Sequence, residues 1–502
     1  MTNPQSSTPP STQRDRFGEG PLSGAAVVMA AKLIGLGVSL ASLAILGRLL
    51  RPADYGVVSM VTSITAFMTV FSDLGLSLVT VQRKDISPAQ ASTLFWINQA
   101  FGFALFACSA ILAPALAWFY QDDRLLTVTM AIGTVFPLMS LGIQHQALLK
   151  REMRFRHLAV VRLIGTIGGC LVAVFAAWRG LGYWALVLQP IASAFLESLS
   201  TLLARPWRPS RPSGCDGMGG MLKFGGNLAA HGMTGYFSNN LDNVLLGRVW
   251  GSHELGLYAA CYSLMMRPIA IAGYSIGETA IPAMCREATA PDRQRAVYRR
   301  MLTVTAFVGL PLLLGGAVCA PDVVRVLLGP QWTSAAPILA LLLLAAIPRL
   351  LWTSTGWVYV STARPARMFH WQLIITPMVV FAFLIGLPYG ALGVATAYAI
   401  INWLTAVPAF AYCFRNSAFR ASDVLQPLTA PFACATMSVF TGVFFQEAVF
   451  PHLEVGVVRL AARVLVAAGV YGLSTLLFVP LVRDAARKCL ARVHSVPTTT
   501  AI

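Results

Sequence analysis

From Ser23 onward the chain is a succession of apolar runs separated by short loops that carry most of its Lys and Arg. Each run is about 20 residues or longer, enough to cross the hydrocarbon core of a bilayer as a helix. The composition agrees. Only 11% of the 502 residues are charged, 56% are hydrophobic, and the mean hydropathy is +0.67, whereas a soluble domain carries about 25% charged residues. A water-facing globule of this make-up would have a largely apolar surface, so lipid must be its solvent. In lipid every backbone polar group pairs inside a helix or a closed barrel. Barrel strands would alternate over about 10 residues, and these runs do not. The expected fold class is therefore all-α, a polytopic membrane protein.

Fourteen spans are expected, at 23–47, 56–81, 92–119, 125–148, 158–178, 182–203, 221–246, 255–281, 301–320, 335–361, 369–387, 390–413, 426–446 and 458–482. Residues 1–22, rich in Ser, Thr, Pro and Gln, read as a disordered tail. The run Ser23–Leu46 is too long for a signal-peptide core and reads as a retained first span. The Pro- and Gly-rich segment 204–220 divides an N-terminal six-helix lobe (23–203) from a C-terminal one (221–413). Two additional helices follow at 426–482, then a tail at 483–502. Most of the 37 Lys and Arg residues fall on the side of the N-terminus, which places both termini in the cytoplasm. The net charge of +17 thus speaks of topology and anionic lipid rather than of nucleic acid. The nine cysteines show no CxxC or metal-ligand spacing, so neither a disulfide framework nor a metal site is expected.

The halves repeat. Leu46-Gly47-Arg48 and Asp54-Tyr55-Gly56 recur as Leu246-Gly247-Arg248 and Glu254-Leu255-Gly256, offset by 200 at every matched position. Gly182 has a counterpart in Gly390. Six-span halves of equal orientation are related by an axis along the membrane normal, with sites between them.

A charge at the bilayer centre costs about 2.5–3.5 kcal/mol on insertion scales, so intramembrane cations must face a cavity or paired acids. Helical spacing groups Lys32 with Gly35, Ser39 and Ser42; Asp73 with Thr62, Thr65 and Thr69; Asn227 with His231, Thr234, Ser238 and Asp242; and Arg267 with Ser263, Tyr274 and Glu278. Arg349 lies mid-span. Spans 1, 2, 7 and 8 are repeat-equivalent, which directs these faces to one central cavity. Lys32, Arg267 and Arg349, with Asn227 and His231, are the candidate binding residues for an anion such as a diphosphate head group. Arg162, six residues beyond Arg156, is a weaker candidate that can snorkel. Asp73, Asp242 and Glu197 are candidates for coupling a proton or sodium ion. The competing reading makes these charges structural pairs, such as Arg267 with Asp242. No GxSxG, HExxH or phosphate-loop motif occurs, so no catalytic residue is assigned.

Several short motifs occur in order: Leu50-Arg51-Pro52-Ala53-Asp54-Tyr55-Gly56, Ser72-Asp73-Leu74-Gly75-Leu76, Gln82-Arg83-Lys84-Asp85 and Thr93-Leu94-Phe95-Trp96-Ile97-Asn98. Lys150-Arg151-Glu152-Met153-Arg154-Phe155-Arg156, Gly182-Tyr183-Trp184, Leu241-Asp242-Asn243 and Gly329-Pro330-Gln331-Trp332 follow. Together they resemble the bacterial polysaccharide-exporting flippases of Wzx type, nearest the colanic-acid-exporter-like branch, over roughly residues 24–480. The resemblance implies the multidrug/oligosaccharidyl-lipid/polysaccharide exporter fold, two lobes in a V. It further implies flipping of a polyprenyl-diphosphate-linked oligosaccharide across the bacterial inner membrane, for exopolysaccharide or lipopolysaccharide export, by alternating access. A resident cofactor is not expected, although a proton or sodium gradient is. A polymerase and glycosyltransferases of the same route are expected neighbours. The alternatives are a drug/cation antiporter of the same superfold and a membrane polymerase or sugar transferase. The first would need an acid-rich cavity; the second would need a larger aqueous loop or acidic motifs.

Overall fold

The structure, a computed structural model, describes residues 21–69, 77, 80, 81, 86–212, 218–449 and 456–478, with backbone alone at 21–26, 218–239, 446 and 449. Every regular element among them is helical. Eleven helical stretches are long and apolar enough to cross a membrane. The expected fourteen differ from this number for two reasons. Pro365–Phe414 is one stretch of 50 residues holding two helices, and the spans at 56–81 and 221–246 fall partly outside the described side chains.

The first lobe comprises α1 (Pro21–Leu49), α2 (Pro52–Thr69), α3 (Pro88–Tyr120), α4 (Arg124–Gly133), α5 (Val135–Arg151), α6 (Phe155–Trp178) and α7 (Trp184–Ala204). The second comprises α8 (Met218–Ile269), α9 (Ser275–Arg286), α10 (Pro291–Val318), α11 (Ala320–Leu327), α12 (Ala335–Ser361), α13 (Pro365–Gly386) and α14 (Gly390–Phe414). Helices α15 (Ser422–Val449) and α16 (Val457–Phe478) follow. Helix starts obey local rules. Proline opens α2, α3, α10 and α13, where its missing N–H is no loss. Ser87 and Gln90 form a reciprocal capping box on α3, both bonds at 3.1 Å. Helix α8 breaks at Gly251 (φ +76°), as α1 and α2 are separated by Leu50-Arg51. Past Pro268 the helix widens into a π turn over Ala270–Tyr274 before α9.

The lobes meet where the repeated motifs lie. Helix α2 packs along α8, while α1 touches α11 and α3 touches α8. A Cβ built on Gly56 would stand 1.7 Å from the Ser252 carbonyl oxygen, and one on Gly256 would stand 1.8 Å from that of Pro52. Residues 52 and 56 thus face 252 and 256 reciprocally, the signature of a two-fold contact. Farther out, Gly47 sits against Leu328 and Gly247 against Tyr120 and Met60. The Trp332 indole donates to the Gly47 carbonyl at 2.8 Å, the Gln331 amide donates to the same oxygen at 2.7 Å, and Arg48 donates to the Val326 carbonyl at 3.0 Å. The other repeat pair follows suit: Asp54 lies beside Gly182 (φ +56°), and Glu254 beside Gly390 (φ +68°), accepting from the Ala391 amide at 3.1 Å.

Two buried carboxylates fasten the last helices to the second lobe. Asp423, at the start of α15, accepts from Arg295 (2.9 Å) and Arg299 of α10. Asp322 of α11 accepts from Arg463 (3.1 Å) of α16 and pairs with Arg459 at 3.4 Å. The first part of segment 204–220 lies against the first lobe. There Trp207 packs on Phe95 and His145, and Arg205 pairs with Glu152 at 2.7 Å.

A methyl group at either central glycine must push a backbone apart, so Gly56→Ala or Gly256→Ala is expected to destabilise the protein by about 1–3 kcal/mol. Gly37→Ala, with nothing within 4 Å, is the control; thermal unfolding in detergent reads the difference. Asp322→Ala leaves buried Arg463 without its carboxylate and is expected to cost about 3–5 kcal/mol in the same assay.

Candidate functional site

On α6, Phe155, Leu158, Ala159, Arg162, Leu163 and Thr166 recur at spacings of three, one, three, one and three, which is one helical face. That face lies opposite Ala31, Lys32, Gly35 and Ser39 of α1, and Lys150 closes the end from α5. Gly35 carries no side chain, so the two helices approach there with Leu163 at ordinary contact distance. Between them is a cavity of about 500 Å³, within the range of about 300–1,000 Å³ that small ligands occupy. Its lining is apolar apart from Ser39, Thr166 and three cations, Lys32, Lys150 and Arg162; among the described residues no acid lines it.

Lys32 also reaches out of its own lobe. Its Nζ stands 3.2 Å from Glu278 Oε2 on α9, so one wall of the cavity touches the second lobe. The two side chains are 44% and 69% exposed, and a pair so exposed contributes little to stability. Among the described residues it is the only side-chain ion pair that joins the two lobes.

The other candidates sit elsewhere. Arg349 is held inside the second lobe. Its guanidinium donates to the Tyr398 hydroxyl and lies 5.9 Å from the ring centroids of Tyr262 and Tyr398. Tyr398 in turn stacks on Phe383. Arg267 is half-buried, and its Nε has no hydrogen-bond partner among the described residues. Asp242, 1% exposed, accepts from the Tyr258 hydroxyl at 2.7 Å and from the Asn243 amide at 2.8 Å, and forms no ion pair with Arg267 among the described residues. Glu197 accepts from the Gln146 amide at 3.1 Å and packs beside Gly165. Asp73 and the side chains of Asn227 and His231 lie outside the described residues.

Of the residues proposed from sequence, the structure therefore gathers Lys32 with Arg162 and separates them from the caged Arg349. Sequence reasoning missed Lys150, assigning it to a loop, and gave Glu278 no role. It also missed the contacts of Arg349 with Tyr262 and Tyr398.

With this geometry in place, the comparison with known proteins is informative. A family model described as polysaccharide biosynthesis protein matches residues 45–337, more than half of the chain. The chain belongs to that family. Among curated relatives, this family member is 25% identical over 374 residues to the teichuronic acid biosynthesis protein TuaB of Bacillus subtilis (73% of this chain, 76% of TuaB). It is 24% identical over 396 residues to the lipopolysaccharide biosynthesis protein WzxC of Escherichia coli K12 (78% and 80%). Its fold is similar to that of the lipid II flippase MurJ in an inward closed conformation, with a TM-score of 0.73 at 11% identity over 92% of this chain and all of MurJ.

Partners decide which cation is structural. Arg349→Ala or Tyr398→Phe removes a charge-assisted hydrogen bond and is expected to lower stability by about 1.5–3 kcal/mol. Lys32→Ala, at an exposed position, is expected to stay within about 0.5 kcal/mol. Thermal unfolding of the three variants in one detergent makes the comparison.

Proposed function

We infer that the chain flips a polyprenyl-diphosphate-linked oligosaccharide across the bacterial inner membrane, supplying repeat units for exopolysaccharide or lipopolysaccharide. The observation that carries the reading is a cavity lined, among the described residues, by three cations and no acid, in a chain that belongs to the polysaccharide biosynthesis protein family. Such lining suits phosphate oxygens, which accept charge-assisted hydrogen bonds from Lys and Arg, and the apolar remainder suits a lipid stem. It speaks against a drug/cation antiporter, whose cavity needs acids. The relatives' names point the same way, to teichuronic acid, to lipopolysaccharide and, for the shared fold, to lipid II.

The reading includes orientation and mechanism. The basic face, with Lys150–Arg156, Arg286–Arg300 and Arg415–Arg420, lies in the cytoplasm with both termini. Lobes joined at one end alternate access by rocking. The chain acts as a transporter rather than an enzyme, handing its cargo to a polymerase that acts after glycosyltransferases have built it. Coupling to a proton or sodium gradient belongs to the same proposal. Asp242 is the carboxylate offered for it, being buried and held by only a hydroxyl and an amide.

The test measures lipid-linked oligosaccharide by leaflet in spheroplasts. Deletion of the gene is expected to trap repeat units in the cytoplasmic leaflet, with the plasmid-borne chain restoring export. An unchanged distribution on deletion ends the flippase reading.

A further inference from the structure

The three cations of the cavity are not equivalent. Glu278 already neutralises Lys32, whereas Lys150 and Arg162 have no acidic partner among the described residues. They stand on α5 and α6 and belong to the first lobe, while Glu278 belongs to the second. Lys32 is therefore shared: its stem lines the cavity and its ammonium points to a carboxylate on the opposite lobe. A flexible four-carbon stem carrying a point charge can turn between two anions within its reach, which the planar fork of an arginine does less readily.

We propose that the α1–α6 cavity is a diphosphate subsite, in which Lys150 and Arg162 seize the head group and Lys32 leaves Glu278 to complete the contact. The subsite rests on the flippase reading above and adds to it the place where cargo is first held and the contact it breaks. Charge fixes the ligand class. Lys150 and Arg162 leave two positive charges uncompensated. A diphosphate esterified at both ends carries two ionised oxygens, while the phosphodiester of an ordinary anionic lipid carries one. Depth agrees: Arg162 lies seven residues, about 10 Å, along α6 from Phe155 at the basic end, so the phosphates would sit just inside the membrane with the sugars toward the open face.

Exchange at Lys32 has a mechanical consequence. When Lys32 turns to the phosphate, the lobes lose the ion pair that, among the described residues, is the only one joining them. Because that pair is solvent-accessible, breaking it costs little and a bound dianion outweighs it. With the cavity empty, Lys32 stays with Glu278; with it filled, the lobes lose that weak contact.

The experiment is titration of a polyprenyl diphosphate into the full chain in phosphatidylethanolamine nanodiscs, read by native mass spectrometry, with parallel titrations of polyprenyl monophosphate and phosphatidylglycerol. Lys150→Ala/Arg162→Ala is expected to weaken diphosphate binding at least about tenfold, the factor that 1.4 kcal/mol represents. Glu278→Gln is expected to tighten it several-fold, because the competing carboxylate is gone. The same thermal unfolding midpoint in both variants shows that they are folded, and Lys150→Arg is expected to restore most of the lost affinity in a single-site variant. Wild-type affinity in the double variant overturns the subsite, and unchanged or weaker binding in Glu278→Gln overturns the exchange. Equal retention of phosphatidylglycerol overturns the diphosphate assignment in favour of a structural lipid. These results are separable from failure of the flippase reading, in which deletion of the gene leaves the leaflet distribution unchanged whatever the purified chain binds.

Discussion

Two stretches of backbone touch at the centre of this molecule with no side chain between them. Gly56 lies on the Ser252 carbonyl and Gly256 on that of Pro52, and everything else about the relation of the lobes follows from that closeness. Helices that approach to backbone contact can do so only at small residues, and in lipid such packing replaces the hydrophobic effect as the force that holds helices together. Around this point Trp332, Gln331 and Arg48 spend their donors on main-chain carbonyls of the opposite lobe. Away from it, the described residues offer the exposed Lys32–Glu278 pair. The lobes thus meet closely at the glycine joint, and the Lys32–Glu278 pair away from it is weak.

The joint was legible because it is written twice. A 200-residue offset matching Gly47 to Gly247, Asp54 to Glu254 and Gly56 to Gly256 says that each lobe carries the same corner, and two copies of one corner can pack against each other only reciprocally. Gly182 and Gly390 belong to the same pattern, each in a positive-φ turn facing one of the matched acids. The all-helical class was equally plain from the length of the apolar runs. The site was less so. Helical spacing states which residues share a face of their own helix, and it correctly puts Lys32 with Gly35 and Ser39. It does not say which neighbour that face meets. Arg349 could not be assigned to its cage because Tyr262 and Tyr398 come from helices 87 and 49 residues away. Lys150 looked like a loop residue because it ends α5, yet the end of one helix is where the face of the next begins.

Acids separate the charges that hold the fold from those left for other work. Asp322 and Asp423 are fully buried, and each is shared by two arginines. Such carboxylates are expensive to bury and remain only where all their acceptor sites are used. They tie α15 and α16 to α10 and α11, so the two C-terminal helices travel with the second lobe rather than bridging to the first. The linker segment is fastened in the same spirit to the first lobe, through Trp207 and Arg205.

The intramembrane cations then sort by partner instead of by residue type. Arg349 has aromatic faces and a hydroxyl on its fork, an arrangement that ties α12 to α8 and α14. Lys32, Lys150 and Arg162 have room around them and one acid among three. Keeping unspent positive charge within a membrane is costly, by about 2.5–3.5 kcal/mol for each residue placed at the centre. Among the described residues a single acid, Glu278, meets these three cations, so the cavity keeps positive charge of the kind that the proposed anion would answer.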